Sequence, residues 1–339
     1  MSNLKNRRWV LADYPDGMPD ESHFRLEDGL NVPEPGDGEI LVQAKYLSVD
    51  PYMRGRISPA ANYAAGVAPG ELMQGGGVGE VIASNNPDFA PGDIVESRDL
   101  GWQEFAILGP KSGINKVDPG IAPIQSSLSY LGMPGMTAWA GLFRVGEIKA
   151  GKTVVISAAS GAVGQVAGQL AKAHGCRTVA VASTQAKLDW CREIGYDVGI
   201  NYREAEDLSA TMAHACPDGV DFYFDNTAGP IHDAVMENLA LGARVGICGT
   251  ISLAGQLGQP DIGPRYHRQI LVARARVQGF LVHDFADDFD AARKHIVGLI
   301  DSGEFKFKED VSDGLESMSG AFLKLLHSEN FGKQLVKVG

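Results

Sequence analysis

The chain has 339 residues, 44% of them hydrophobic and 21% charged, a composition that suits a soluble two-domain enzyme and argues against disorder. Its net charge of −12 argues against nucleic acid or an anionic membrane surface as the main partner. The four cysteines, Cys176, Cys191, Cys216 and Cys248, show no C-x-x-C spacing, the N-terminus lacks an apolar signal core, and no apolar run reaches the length of a membrane span. Reduced thiols and a cytoplasmic location are therefore expected.

Short β-like runs come first, at Arg8 to Ala12, Glu39 to Ser48, Gly77 to Ala83, Ile94 to Ser97 and Trp102 to Ile107, with Pro, Gly and Asp turns between them. They predict a β-rich barrel or Greek-key domain. From Tyr130 onward strands and helices alternate, with strands expected at 153–157, 177–182, 198–201, 220–224, 243–248 and 276–281. That rhythm predicts an α/β, doubly wound parallel sheet. An amphipathic helix follows at Ala291 to Ser302, and a lone strand at Gln334 to Val338 is expected to return to the first domain. The organisation expected is a discontinuous domain of residues 1–125 and 306–339, with a nucleotide domain of residues 126–305 inserted in it.

The segment TVVISAASGAVGQVAGQLAK, residues 153–172, has the order of elements that a dinucleotide pyrophosphate requires. A β-branched strand turns directly into a helix whose apolar residues recur at helical spacing. Ala159, Gly161 and Gly164 occupy the three small-residue positions of the Rossmann fingerprint, with alanine in place of the first glycine. The first turn of the helix, Gly161, Ala162, Val163 and Gly164, would bind phosphate through backbone N–H groups and the positive end of the dipole. Tight strand-on-helix packing is the alternative reason for such small residues.

The end of the next strand should read the ribose, and an acid there would select NAD. This chain offers Ser183 and Thr184 followed by Lys187, so nothing repels a 2′-phosphate and a cation lies one helical turn away. The charge pattern points to NADPH. Tyr202, in INYRE, either closes over the same phosphate or packs at a strand end.

Seven segments together resemble the zinc-independent branch of the medium-chain dehydrogenases/reductases. They are SVDPYMRGR (48–56), GGGVGEV (75–81), LGMPGMTAWAGL (131–142), SAASGAVGQVAGQLAK (157–172), FDNTAG (224–229), ICGTIS (247–252) and NFGKQLVKV (330–338). Within that branch the likeness is to the leukotriene B4 12-hydroxydehydrogenase or prostaglandin reductase group, which includes alkenal and curcumin reductases. The resemblance implies a GroES-like β-barrel plus a Rossmann domain, and NADPH-dependent saturation of a carbon–carbon double bond conjugated to a carbonyl. It also implies a homodimer, expected through an edge strand such as 276–281.

Family positions carry over one residue at a time. Tyr52 matches a tyrosine lining the active cleft, where it either contacts substrate or nicotinamide or braces the domain junction with Arg54. Tyr63 resembles a tyrosine used as proton donor or enolate partner, and is otherwise a loop residue over the cleft. Asn226, Asn330, Met133 and Thr137 resemble cofactor contacts, while Cys248 and Phe280 would contribute mainly backbone groups. Core or turn packing is the alternative for these positions. Where many relatives follow ICGxIS with a stretch ending in Tyr-Asn, this chain has Ala254 and Gly255. The work of that tyrosine would then fall to Tyr63, Tyr52 or Tyr266.

A catalytic zinc needs three Cys, His or carboxylate ligands around an open position. The first domain has no cysteine, His23 is the sole histidine before the nucleotide domain, and Gln74-Gly75-Gly76 stands where zinc alcohol dehydrogenases of the superfamily carry Gly-His-Glu. No metal site is therefore expected. Without a metal to polarise an alcohol, hydride addition to an enone or enal with hydrogen-bond stabilisation of the enolate is the economical chemistry. A quinone oxidoreductase of the same superfamily and a non-catalytic NADPH sensor are the competing readings.

Overall fold

The computed structural model describes residues 4–60 and 62–339. In chain order its strands are β1 (Lys5–Leu11), β2 (Phe24–Asn31), β3 (Ile40–Ser48), β4 (Gly77–Ser84), β5 (Ile94–Ser97), β6 (Phe105–Leu108), β7 (Asn115–Lys116), β8 (Thr153–Ser157), β9 (Arg177–Ala182), β10 (Val198–Asn201), β11 (Val220–Asp225), β12 (Leu239–Ile247), β13 (Arg276–Gly279), β14 (Glu309–Asp313) and β15 (Lys333–Lys337). The helices are α1 (Met53–Arg56), α2 (Met133–Ala140), α3 (Ala162–Ala173), α4 (Gln185–Glu193), α5 (Leu208–Ala215), α6 (Gly229–Met236), α7 (His267–Ala273), α8 (Phe289–Asp301) and α9 (Met318–Leu326). Among the described residues, no helix is long and apolar enough to cross a membrane.

Two compact units divide the chain. One comprises residues 1–129, 254–259 and 309–339, and the other residues 130–253 and 260–308. The first holds a seven-stranded sheet in the order β14-β15-β3-β4-β5-β7, with β6 paired to β3, and a separate β1–β2 ribbon. Its core includes Trp102, which stacks on Phe24 at 5.7 Å and meets the edge of Phe322 at 5.6 Å. The sequence pattern extends β6 back to Trp102, but that residue precedes the strand and serves as a fully buried core side chain.

Three strands are additions to the pattern read from sequence: β2, β14 and the two-residue β7. β2 (FRLEDGLN) and β14 (EDVSD) are polar because each is an edge strand with little to bury, so neither shows the alternation by which strands are read. The strand near the C-terminus is consequently not alone, since β15 lies between parallel β14 and antiparallel β3.

The second unit is a six-stranded, wholly parallel sheet in the order β10-β9-β8-β11-β12-β13. Its central strands β8, β9 and β11 are buried on both sides because helices cover both faces. Val154, Ile156, Phe222 and Phe224 point into one core, while Val155, Val179, Val181 and Tyr223 point into the other. This is the doubly wound order in which the direction of winding reverses between the first and fourth strands, here β8 and β11. A ligand crevice is expected outside their carboxyl ends.

Candidate active site

The turn leaving β8 is built from backbone. Gly161, at φ −79° and ψ 178°, is the N-cap of α3, and no side chain caps that helix. A Cβ on Gly164 would run into the carbonyls of Ala158 and Ala159, and Ala158 itself adopts φ 47°. One turn further on, a Cβ on Gly168 would overlap the Tyr196 ring, whose hydroxyl donates to the Gly164 carbonyl at 2.7 Å. The small residues therefore serve both purposes weighed from the sequence: they pack the helix closely and they leave its first turn open. A twelve-residue helix presenting uncapped N–H groups fits a diphosphate, and Gly161 to Gly164 would hold it.

The ribose-reading end of the sheet assembles from two adjacent strands. Thr184 is the N-cap of α4, accepting from the Lys187 amide at 3.3 Å, and Ser183 is buried beside it. Asn201 pairs with Ala182, and the Tyr202 amide donates to the Ala182 carbonyl at 3.2 Å, so Tyr202, directly after β10, lies beside the end of β9. Sequence reasoning missed Arg203, whose guanidinium lies 5.9 Å from the centroid of the Tyr202 ring. Adjacency to Tyr202 in INYRE is its only mark in the sequence.

Between β8 and β11, Asn226 is committed to the scaffold. Its amide donates to Ser157 Oγ at 2.9 Å and its Nδ2 to the Ser157 carbonyl at 2.8 Å. Asp225, fully buried, accepts from Tyr223 Oη at 3.0 Å and from the Thr227 and Ala228 amides at 3.0 and 2.8 Å, and its other oxygen pairs with His232 Nδ1 at 2.8 Å. That network holds the turn of Asn226 to Ala228, in which Ala228 adopts φ 60°. The Cys248 amide donates to the Asp225 carbonyl at 2.8 Å, and burial pushes its thiol up to about 12. Phe280 packs edge-on against Phe224 at 6.0 Å, and the Thr137 hydroxyl donates to the Met133 carbonyl at 2.7 Å. Tyr266 is buried against His232, their rings 6.2 Å apart.

In the first unit, Tyr52 immediately precedes the single turn α1. The Arg56 guanidinium lies 5.5 Å from the Tyr52 ring centroid and 4.9 Å from that of Tyr63, bringing the two tyrosines singled out from sequence around one cation. Burial, then Asp50, raise the Tyr52 phenol, while Arg56 acts in the opposite sense. Arg54 is buried, with Nε donating to the Ala254 carbonyl at 2.9 Å and Nη2 to the Gly17 carbonyl at 2.7 Å. Its bonds thus tether the segment that carries Ala254 and Gly255.

Beneath this loop Lys333 and Asp50 form an ion pair at 2.7 Å, with Lys333 only 1% exposed. The remaining ammonium donors reach Ser48 Oγ at 2.7 Å and the Val49 carbonyl at 2.8 Å, and Ser48 Oγ in turn bonds Asp50. Every proton of the buried ammonium is paired. Asn330, three residues before Lys333, donates to the Gly332 carbonyl at 2.9 Å and so shapes its own loop. Among the described residues, no group of three His, Cys, Asp or Glu side chains is placed to hold a metal, and the His23 ring is engaged with Asp20 at 3.0 Å.

A Rossmann unit with an open helix terminus, and with Ser183 and Thr184 rather than an acid at the end of β9, fits an NADP-dependent oxidoreductase. Residues 7–117 match the family model for the N-terminal domain of oxidoreductase, and residues 162–297 match the model named zinc-binding dehydrogenase. The NADPH-dependent curcumin reductase of Escherichia coli is 39% identical, over 98% of this chain and 97% of that protein. The NADP(+)-dependent 2-alkenal reductase of Nicotiana tabacum is 38% identical, over 99% and 98%. The crystal structure of CurA from Vibrio vulnificus in complex with NADPH aligns with a TM-score of 0.91 at 37% identity, covering 98% of this chain and 99% of that one. The chain belongs to the medium-chain dehydrogenase/reductase superfamily, in the group of prostaglandin, curcumin and 2-alkenal reductases, and its cofactor is NADPH.

Proposed function

We propose that this protein reduces the carbon–carbon double bond of α,β-unsaturated ketones or aldehydes without zinc. The observation that carries the reading is the donor set of the first unit, two phenols gathered around one guanidinium. Kinship with reductases named for alkenals, curcumin and prostaglandins supports it. Bound NADPH supplies the hydride, which goes to the β-carbon. The chain's own residues must then stabilise charge on the carbonyl oxygen and deliver a proton to the α-carbon. With its phenol raised by burial, Tyr52 stays protonated at neutral pH and acts as a hydrogen-bond donor rather than a base. Tyr63, 58% exposed, is the proton donor or enolate partner that substrate and water can both reach.

For the cofactor, Gly161, Ala162, Val163 and Gly164 hold the pyrophosphate, and Ser183, Lys187 and Tyr202 hold the 2′-phosphate. Met133, Thr137, Asn226, Cys248, Phe280 and Asn330 complete its surroundings. Incubation with NADPH and 2-alkenals or benzalacetone, with products identified by mass spectrometry and NMR, tests the reaction. A saturated carbonyl product is expected. An allylic alcohol would overturn the reading, and binding of NADPH with no product would favour a quinone oxidoreductase or a sensor.

We infer a homodimer in the cytoplasm. Edge strand β13 is exposed along its whole length, and Leu271 and Val272 on the preceding helix are 75% and 62% exposed. An unpaired strand edge with exposed apolar side chains beside it is a template for pairing with a second copy. Light scattering that finds only monomer removes the dimer.

A further inference from the structure

Arg56 occupies an unusual position for a charged side chain. It is half-buried on α1, and no carboxylate among the described residues forms an ion pair with it. Its guanidinium contacts are instead the faces of Tyr52 and Tyr63 and one long bond from Nη1 to the Ala65 carbonyl at 3.4 Å. Its backbone carbonyl accepts from the Val67 amide at 2.7 Å, so the same residue ties down both ends of the Tyr63 loop. Asp50, the nearest acid in sequence, is already paired with Lys333. A partly desolvated cation without a counter-ion favours negative charge nearby, and aromatic faces leave its field largely uncompensated.

We propose that Arg56 is a positioning residue that orders Tyr52 and Tyr63 as one donor pair and biases the site toward an oxyanion, namely the enolate oxygen of a reduced enone or a phenolate that imitates it. The proposal rests on the reading of Tyr52 and Tyr63 as donors to substrate. Its chemistry involves no transfer of the guanidinium proton. The cation acts through the two phenols, which remain the groups that touch the oxygen. The electrostatic influence of Arg56 on the Tyr52 phenol, opposite in sign to that of Asp50, is consistent with this role.

The probe is 4-nitrophenol, whose anion absorbs in the visible, added to the NADP⁺-bound protein near the pH at which free probe is half ionised. The wild-type protein is expected to bind the anion preferentially. Arg56→Ala and Arg56→Met should lower the ratio of bound anion to neutral probe by about tenfold, as for a unit charge roughly 6 Å away at an effective dielectric constant of about 40. Arg56→Lys should restore part of the effect through its charge, and NADPH affinity should stay at the wild-type value in all three variants. An unchanged ratio in Arg56→Ala, or no preferential binding of the anion by the wild type, overturns the proposal. If the probe is ionised through Arg56 while no enone is reduced, the enone reading fails and the oxyanion site stands. If enones are reduced but the ratio is insensitive to Arg56, the reverse holds.

Discussion

In the six-stranded unit the proposed nucleotide cradle is made almost wholly of backbone, from a glycine N-cap, an uncapped helix terminus and strand ends held in register. In the seven-stranded unit the corresponding chemistry is made of side chains drawn from distant parts of the chain, with Ser48, Asp50 and the tyrosine loop meeting Lys333 and Ala254. Backbone N–H groups at a helix terminus can bind a diphosphate whatever side chains are present. The substrate side has to impose shape and charge, which only side chains supply. The two sites should consequently fail in different ways when mutated.

The largest effect is expected at the buried ion pair. Lys333→Ala strands the Asp50 carboxylate, and breaking such a pair from one side costs about 3–5 kcal/mol. Urea unfolding followed by circular dichroism measures this. A loss below about 1 kcal/mol would mean that water or a neighbour replaces the ammonium. In the other unit, Gly168→Ala forces a methyl against the Tyr196 ring and should cost about 1–3 kcal/mol by overpacking. It should also weaken NADPH and NADH binding together, because Tyr196 holds the Gly164 carbonyl at the phosphate turn.

Loss of one charged hydrogen bond in Lys187→Ala should weaken NADPH binding by about tenfold or more and leave NADH nearly unchanged. Equal weakening of the two would show that the lysine does not read the 2′-phosphate. Arg203→Ala, measured in the same fluorescence titration, should show the same selectivity at about threefold, since its guanidinium is exposed and screened by solvent.

The smallest expected effect is a pH dependence. Trp139 Nε1 donates to His295 Nδ1 at 3.2 Å, which requires the unprotonated nitrogen, and burial lowers the His295 value below the ordinary 6.5. A depressed folded value means that the unfolded chain binds the proton more readily, so this contribution is present above 6.5 and lost as pH falls through that region. Thermal midpoints of wild type and His295→Gln should therefore converge toward acid pH. Parallel midpoints from pH 8 to pH 5 would sink the assignment.

Much of the nucleotide unit was legible in the sequence because its rules are local. The switch from strand to helix period marks the phosphate turn, and the missing acid after β9 marks the cofactor. Arg203 carries no such local signal, because an exposed arginine after a strand is ordinary on any surface. In the first unit, the motifs around Tyr52 and Asn330 were recognisable but their geometry was not. Edge strands β2 and β14 escaped because a strand with little to bury carries no hydrophobic alternation.

By itself, then, the amino-acid sequence determined the parallel sheet, the strand-turn-helix at residues 153–173 and the NADPH reading, since each depends on residues within about one βαβ unit of one another. Tertiary structure alone decided that Lys333 lies beneath Asp50, 283 positions away, that Arg54 holds the carbonyl of Ala254, 200 positions away, and that Arg56 stands between Tyr52 and Tyr63. Pairings over such separations leave no period in the chain. The Lys333–Asp50 pair forms only when the sheet brings β3 and β15 into register and burial makes an unpaired charge too costly to leave.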